Sequence, residues 1–307
     1  VTNRTPAPPR NYFGIPPVDR VNRATAPVYH ETLQARGLLT GALEVEIEAL
    51  SPVHVGCGAF ELLGDRIVKE PIRRGGALVI PGASIKGMCR QTFEALTASG
   101  SPFDRDESHR AGRPGQPTPG VSAAASLFGT LGLQGRVSFD DAVPVGPAAP
   151  AELRPEAIAL SVAYAPRTAV GRRFYGLLPQ GADQPPTIPA LAIPAGSLLL
   201  SHLRFRNLAR QEMGGLLTSL GVGLFTPRLG GGKYDDFGWV RFRPRAVRLR
   251  GSGLEASEWE RSPGAVEAFV KECRDQVRLA GSGRDALDTL IRKLQFPRAA
   301  LSGEAPG

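Results

Sequence analysis

The sequence predicts an α+β fold with long inserted loops and a C-terminal helical extension, and three observations carry that prediction. Residues 42–50 alternate apolar and acidic side chains almost without a break, the period of a strand buried on one face. Residues 84–99 instead bring Ile85, Met88, Cys89, Phe93 and Leu96 to one face of a helix. The two periods then recur downstream, so that the whole reads strand, helix, strand, strand, helix, strand, the ferredoxin-like arrangement.

Taken in order, residues 1–40 carry several prolines and no apolar core region, which predicts an extended N-terminal arm and not a secretory signal. Such a proline-dense arm is expected to fold against a neighbour. The first strand runs into a glycine-punctuated segment that ends at Ile80-Pro81-Gly82, and the helix follows that Pro-Gly turn with Ser84 as its N-cap. Residues 100–123 mix Pro, Gly, Ser, Asp and Arg without a period and predict a long loop, mobile or ordered by a partner. A second strand is expected over 135–142, then a proline- and glycine-rich insertion over 146–194. A third strand covers 197–207, a helix 210–220, and a fourth strand, 237–243, follows the glycine-rich turn at 229–233. The core therefore spans 41–250, and the extension at 251–307 carries two amphipathic helices near 264–279 and 283–294.

Lys and Arg total 37 against 29 Asp and Glu, a net charge of +8, which suits a polyanionic partner because neutralised phosphates release counterions. The longest apolar run is interrupted by Pro194 and Gly196, far short of the ~20 residues of a membrane span. A cytoplasmic protein with no membrane partner is expected. Cys57, Cys89 and Cys273 form no C-x-x-C pair, so reduced thiols are expected and not a zinc site.

Three glycine-bearing turns sit at the ends of periodic elements: residues 54–58, 81–87 and 230–233. Glycine lets a backbone approach a phosphate, and a helix N-terminus offers unpaired N–H groups. Lys86 and Arg90, one turn apart on the expected helix, could extend along a nucleic-acid backbone. The alternative is that these glycines only make tight turns and the cations are solvated surface. Neither the P-loop nor the dinucleotide fingerprint is present.

Together these segments resemble the RAMP superfamily of CRISPR-associated proteins. SPVHVGCG followed by VIPGASIKGMCRQTFEAL is similar to that family's strand, glycine turn and helix start; SLFGT followed by GRVSFDDA to its central strand; and RFRNLARQEMGGLLTSLG followed by LGGGKYDDFGWVRF to its second helix and glycine-rich loop. The resemblance, running from about Gly41 to Arg243, implies a modified RNA-recognition-like fold that holds guide RNA (crRNA) along its backbone. It also implies a protruding thumb, in the 100–123 or the 146–194 insertion. The implied partners are the guide RNA, a complementary target RNA and the other CRISPR effector subunits, in a type III complex.

The same resemblance implies guide contacts at His54, Ser84, Lys86, Arg90, Gly231, Gly232 and Lys233. Arg172 and Arg173, in GRRFYG, resemble a basic-aromatic peptide of one branch of the family. Some members cut target RNA with one aspartate between the first strand and the helix, and Asp65 occupies the comparable place, although the apolar-Pro sequence that follows it in the family is absent here. Such an aspartate would align a ribose hydroxyl with its phosphate or hold a divalent metal, so Mg2+ is implied only if target RNA is cleaved; otherwise Asp65 is a turn residue. His54 is open to a structural hydrogen bond, an RNA contact, or acid–base work in a metal-independent guide-processing ribonuclease. A non-catalytic capping subunit is a further alternative. Asp140 and Asp141 are expected to end a strand, and the aromatic strand from Phe237 to Phe242 to serve the core instead of stacking bases.

Overall fold

The segment of alternating apolar and acidic residues becomes the central strand of the molecule, and everything that positions the glycine turns is built on it. The computed structural model describes residues 11–16, 21, 23, 37–99, 120–145, 153–161, 172–178, 187–250, 258–279 and 281–297. The elements begin with β1 (Tyr12–Ile15), β2 (Leu39–Ala49), the hairpin β3 (Gly56–Leu63) and β4 (Arg66–Pro71), the ladder β5 (Arg73–Arg74) and β6 (Ala77–Leu78), and helix α1 (Gly82–Leu96). Helix α2 (Ala123–Phe128) leads into the ladder β7 (Gly129–Thr130) and β8 (Leu133–Gln134), then β9 (Val137–Phe139) and β10 (Val143–Pro144). There follow β11 (Glu156–Ser161), β12 (Arg172–Tyr175), β13 (Thr187–Ala192), β14 (Leu198–Leu208), α3 (Arg210–Ser219) and β15 (Val240–Leu249). Helices α4 (Pro263–Asp275) and α5 (Ser282–Lys293) close the order. Among the described residues no helix is long and apolar enough to cross a membrane.

The central sheet runs β10-β14-β2-β15 with β9 also paired to β14, every pairing antiparallel. In terms of the strand–helix pattern, its second, third, first and fourth strands lie side by side, which is the ferredoxin-like order. Leu43, Val45 and Ile47 of β2 turn to one face and share a core with Ile85, Cys89 and Phe93 of α1 and Met213, Leu216 and Leu217 of α3. Glu44, Glu46 and Glu48 alternate onto the other face, where arginines of the neighbouring segments reach over them. Arg241 donates to Glu48 at 2.9 Å, Arg243 to Glu46 at 3.2 Å, Arg245 to Glu46 at 2.7 Å and Arg261 to Glu44 at 2.6 Å. The alternation that predicts the strand therefore sorts an apolar core from an ion-pair ladder.

A second sheet, β11-β13-β4-β3, stands beside the first. It is antiparallel apart from the β13–β4 pair, and Ile158, Leu160, Ala190 and Ala192 form its small core with Phe237. Part of the expected N-terminal arm is a strand, since β1 pairs with β12 and Phe13 stacks on Phe174 at 5.8 Å between ring centroids. Both helices of the C-terminal extension are present.

Several boundaries differ from expectation for identifiable reasons. Ser84 is not the N-cap of α1: Pro81 takes that position, and the carboxylate of Asp141 accepts the Gly82 N–H at 2.8 Å. A Cβ on Gly82 would lie 1.9 Å from the Phe139 carbonyl oxygen, so this glycine lets α1 press on the strand beside it. The second strand of the pattern is short because Ala142 leaves to bridge Ile80. The fourth begins at Val240, because Phe237 and Gly238, the latter at φ +83°, belong to the glycine loop. Residues 100–119, most of the expected loop, lie outside the described residues, as do 146–152, 162–171 and 179–186 of the second insertion.

Candidate nucleic-acid interface

Two of the three glycine turns meet at the end of the sheet where β2 stops. Beyond β2 the chain bonds to Ile193 through Val53 and reaches His54, whose carbonyl accepts the Gly231 N–H at 2.8 Å. Gly230 lies at φ +75°, and a Cβ there would sit 2.2 Å from that same carbonyl oxygen. Close approach and positive φ both require glycine.

The His54 ring is buried, and its Nδ1 lies 2.7 Å from the Leu191 carbonyl oxygen. A carbonyl only accepts, so Nδ1 carries the proton and Nε2 keeps its lone pair. Burial holds the ring below the ordinary histidine range, with the charge of Lys69 adding to it against the opposing Leu191 bond. A neutral, anchored imidazole is fitted to accept a hydrogen bond, such as one from a ribose hydroxyl.

The loop from Gly230 to Gly238 is clamped from behind. Asn11 donates to the carbonyls of Lys233 (2.8 Å) and Tyr234 (3.3 Å). Asp235 accepts from the Ser161 N–H and hydroxyl, and Asp236, at φ +60°, accepts from the Leu178 N–H at 2.9 Å. Buried Arg228 ties Asp236 (3.2 Å), the Phe237 carbonyl (2.7 Å) and the Gly176 carbonyl (2.7 Å) together and stacks on Trp239. Burial pushes this guanidinium down to about 10, still charged at neutral pH. Both loop carboxylates are thereby consumed inside. Lys233 has no carboxylate at ion-pair distance among the described residues, and burial followed by the charge of Arg228 pushes it down to about 8.

Helix α1 adds cations to the same side. Lys86 is half-buried and held below the ordinary lysine range by burial and then by Arg90. Arg90 is already engaged, donating to Glu94 at 2.8 Å and to the Gly129 carbonyl at 3.0 Å. Further along the helix, Met88, Gln91 and Thr92 line one small cleft with Arg173 and Lys233. Gln91 donates to the Arg173 carbonyl at 2.6 Å, and the Arg173 guanidinium lies over Tyr12. The structure thus gathers His54, Gly231, Gly232 and Lys233 into one loop pair and brings Arg173 to the flank of α1. Ser84 is the third residue of α1, partly exposed.

Two expected site residues lie elsewhere. Arg172 turns inward, because Glu94 is buried beside it (3.5 Å) and the Ser99 carbonyl accepts its N–H at 2.5 Å. Asp65 stands at the exposed turn of the β3–β4 hairpin, next to Gly64 at φ +64°. That tip is on the order of 20 Å along the strands from His54. Around it Phe60, Leu62, Leu63 and Ile67 are 50–70% exposed, a projecting apolar row.

Asp140 and Asp141 go to separate partners: the former holds Arg204 at 2.6 Å, the latter caps α1 and holds Arg74 at 3.1 Å. Trp239 and Phe242 are buried in the cores. Sequence reasoning missed Lys69, Arg228 and Asn11. Of these only Arg228 had a local signal, since it directly precedes the glycine loop.

Fold and loops define a ferredoxin-like α+β domain with glycine turns clasped at one end of its sheet. The chain belongs to the RAMP superfamily, whose family model matches residues 46–241, just under two thirds of the chain. Among solved structures it is similar to a chain of a "Type IV-B CRISPR Complex", at 17% identity and a TM-score of 0.40, over 71% of this chain and 93% of that one. The comparison with curated proteins gives no match.

Proposed function

We propose that this chain is a guide-RNA-binding backbone subunit of a type III CRISPR ribonucleoprotein effector. One observation carries the reading: the clasped loop whose carboxylates are all turned inward while Lys233 stays without an acidic partner. A rigid backbone edge bearing a desolvated ammonium favours phosphate and ribose contacts, which position a strand without reading its sequence. Lys69, Lys86 and Arg173 extend the cationic surface around it. The exposed apolar row on the β3–β4 hairpin supports burial against an RNA duplex or a neighbouring subunit.

The test is binding of several RNAs of unrelated sequence to the wild-type chain and to Lys233→Ala and Lys86→Ala. The reading expects a similar loss, about threefold to tenfold, for every sequence. A loss confined to one sequence would contradict it.

A second reading, cleavage of target RNA, is favoured by the exposure of Asp65 at the hairpin turn. Among the described residues no group of three His, Cys, Asp or Glu gathers to hold a metal ion. A magnesium ion at Asp65 would therefore need phosphate oxygens of the RNA as further ligands, a common arrangement for that ion. Asp65 itself would hold such an ion and orient the strand.

A further inference from the structure

The solvent face of the central sheet carries a feature that the glycine-turn reading leaves unused. At the end of β2 away from His54 lies a trough of about 610 Å3, lined by five arginines and no acidic residue. Its floor is made of small side chains, Gly41 and Ala42 of β2 and Ser138 of β9. Register fixes the walls: Arg204 on β14 and Arg248 on β15 both stand opposite Ala42. Arg206 and Arg250 repeat the pair two residues further along. Arg136, the fifth, points inward and is held by Glu212 at 2.9 Å.

We propose that this trough binds the sugar–phosphate backbone of a single nucleic-acid strand, as a second site separate from the glycine turns. Alternate residues of a strand lie about 6.7 Å apart, and the walls are two strand spacings, about 9.6 Å, from each other. That width admits one backbone and is too narrow for a duplex. The repeat presents planar guanidinium forks at intervals suited to successive phosphates.

The carboxylates nearby are occupied. Asp140 holds Arg204 from outside the trough, Glu44 is taken by Arg261, and Glu260 accepts the Ser262 N–H at 2.7 Å. At the rim the partly exposed indole of Trp259 lies under the Arg248 guanidinium, 4.8 Å from ring centroid to carbon, and offers a stacking surface beside the cations. An acidic protein segment fits less well, since the small-residue floor offers it no apolar pocket. Non-specific strand binding needs only the rows and the ring.

The experiment measures binding of a labelled oligouridylate as a function of salt, using the full chain, Arg206→Gln/Arg248→Gln, Lys86→Ala/Lys233→Ala and the combined variant. Each lost phosphate contact lowers the log–log salt slope by about 0.7 for a single strand. The arginine pair is expected to lower the slope by about 1.4 and the affinity by about tenfold, in both the wild-type and the lysine-variant backgrounds. Arg206→Lys/Arg248→Lys, which keeps the charges, is expected to restore most of the slope, separating charge from a folding defect. An unchanged slope in both backgrounds overturns the site. So does a loss seen only with a polyglutamate probe of matched charge, which would assign the trough to an acidic protein. If the arginine variants fall while the lysine variants do not, the trough stands and the glycine-turn reading fails.

Discussion

The carbonyl of His54 and the backbone N–H of Gly231 meet at 2.8 Å, joining the exit of β2 to the loop that enters β15. Neither turn is shaped by its own residues alone. The His54 carbonyl is also the atom that forbids a side chain on Gly230, so one oxygen sets the geometry of both loops.

Gly230→Ala should therefore destabilise the fold by about 3 kcal/mol, combining a steric collision with a left-handed backbone. Gly64→Ala, at φ +64° but with open space around it, should cost only about 1 kcal/mol. Urea unfolding midpoints of the two variants check the contrast.

Lys233 predicts opposite pH trends for stability and for RNA affinity. Its ammonium is pushed down to about 8 in the folded chain, against 10.5 ordinarily. Below about 8 both states hold the proton and the burial cost is carried in full. Between about 8 and 10.5 the unfolded chain binds more protons, so this residue's contribution to stability rises with pH. Affinity for a phosphate falls over the same range as the charge is lost. Wild-type RNA affinity should drop about threefold or more between roughly pH 7 and 9, and Lys233→Ala should bind more weakly at pH 7 with that decline removed. Parallel pH profiles would exclude Lys233 as a contact.

Asp141→Ala removes the cap of α1 and should cost about 1 kcal/mol. Asp140→Ala, which loses only the exposed pair with Arg204, should cost less than about 0.5 kcal/mol. Thermal melts that rank the two in the reverse order would contradict the capping role.

Glu94 is buried between Arg90 and Arg172, and burial raises its pKa in spite of both arginines. Replacing it by Ala leaves Arg172 charged and enclosed without a partner, for an expected loss of about 3 kcal/mol. Equilibrium unfolding measures it directly.

Asp65→Ala, at an exposed turn, should change stability by no more than about 0.5 kcal/mol and leave guide-RNA affinity unaltered. In the assembled complex with magnesium, it should abolish target cuts at this subunit's position. Persistent cutting there would remove Asp65 from the chemistry.

The elements with a local period were legible from sequence. Alternation in β2 and the helical face of α1 depend only on neighbours a few residues away, so both were readable without any tertiary information. The β3–β4 hairpin was not, because β3 is exposed along its whole length and carries no contrast between buried and exposed positions. Its sheet also depends on Lys69 meeting Ala190 across more than a hundred residues.

The same reason hid the cap of α1, supplied by Asp141 from 59 residues downstream, and the interior position of Arg172. A basic side chain beside a glycine reads as surface until a buried glutamate is found opposite it. The glycine turns were legible as turns, whereas their mutual clasp became visible only once β2 and β15 lay side by side.

The placement of β2 bears on how the chain is made. It is the first strand of the central sheet to leave the ribosome, and its partners β14 and β15 follow only about 150 to 190 residues later. At typical synthesis rates that gap lasts roughly ten to forty seconds, during which both edges of the strand, one of its faces apolar, stand open. Slower synthesis lengthens this window, so the yield of folded protein should depend on holdase chaperones during translation and improve when they are abundant.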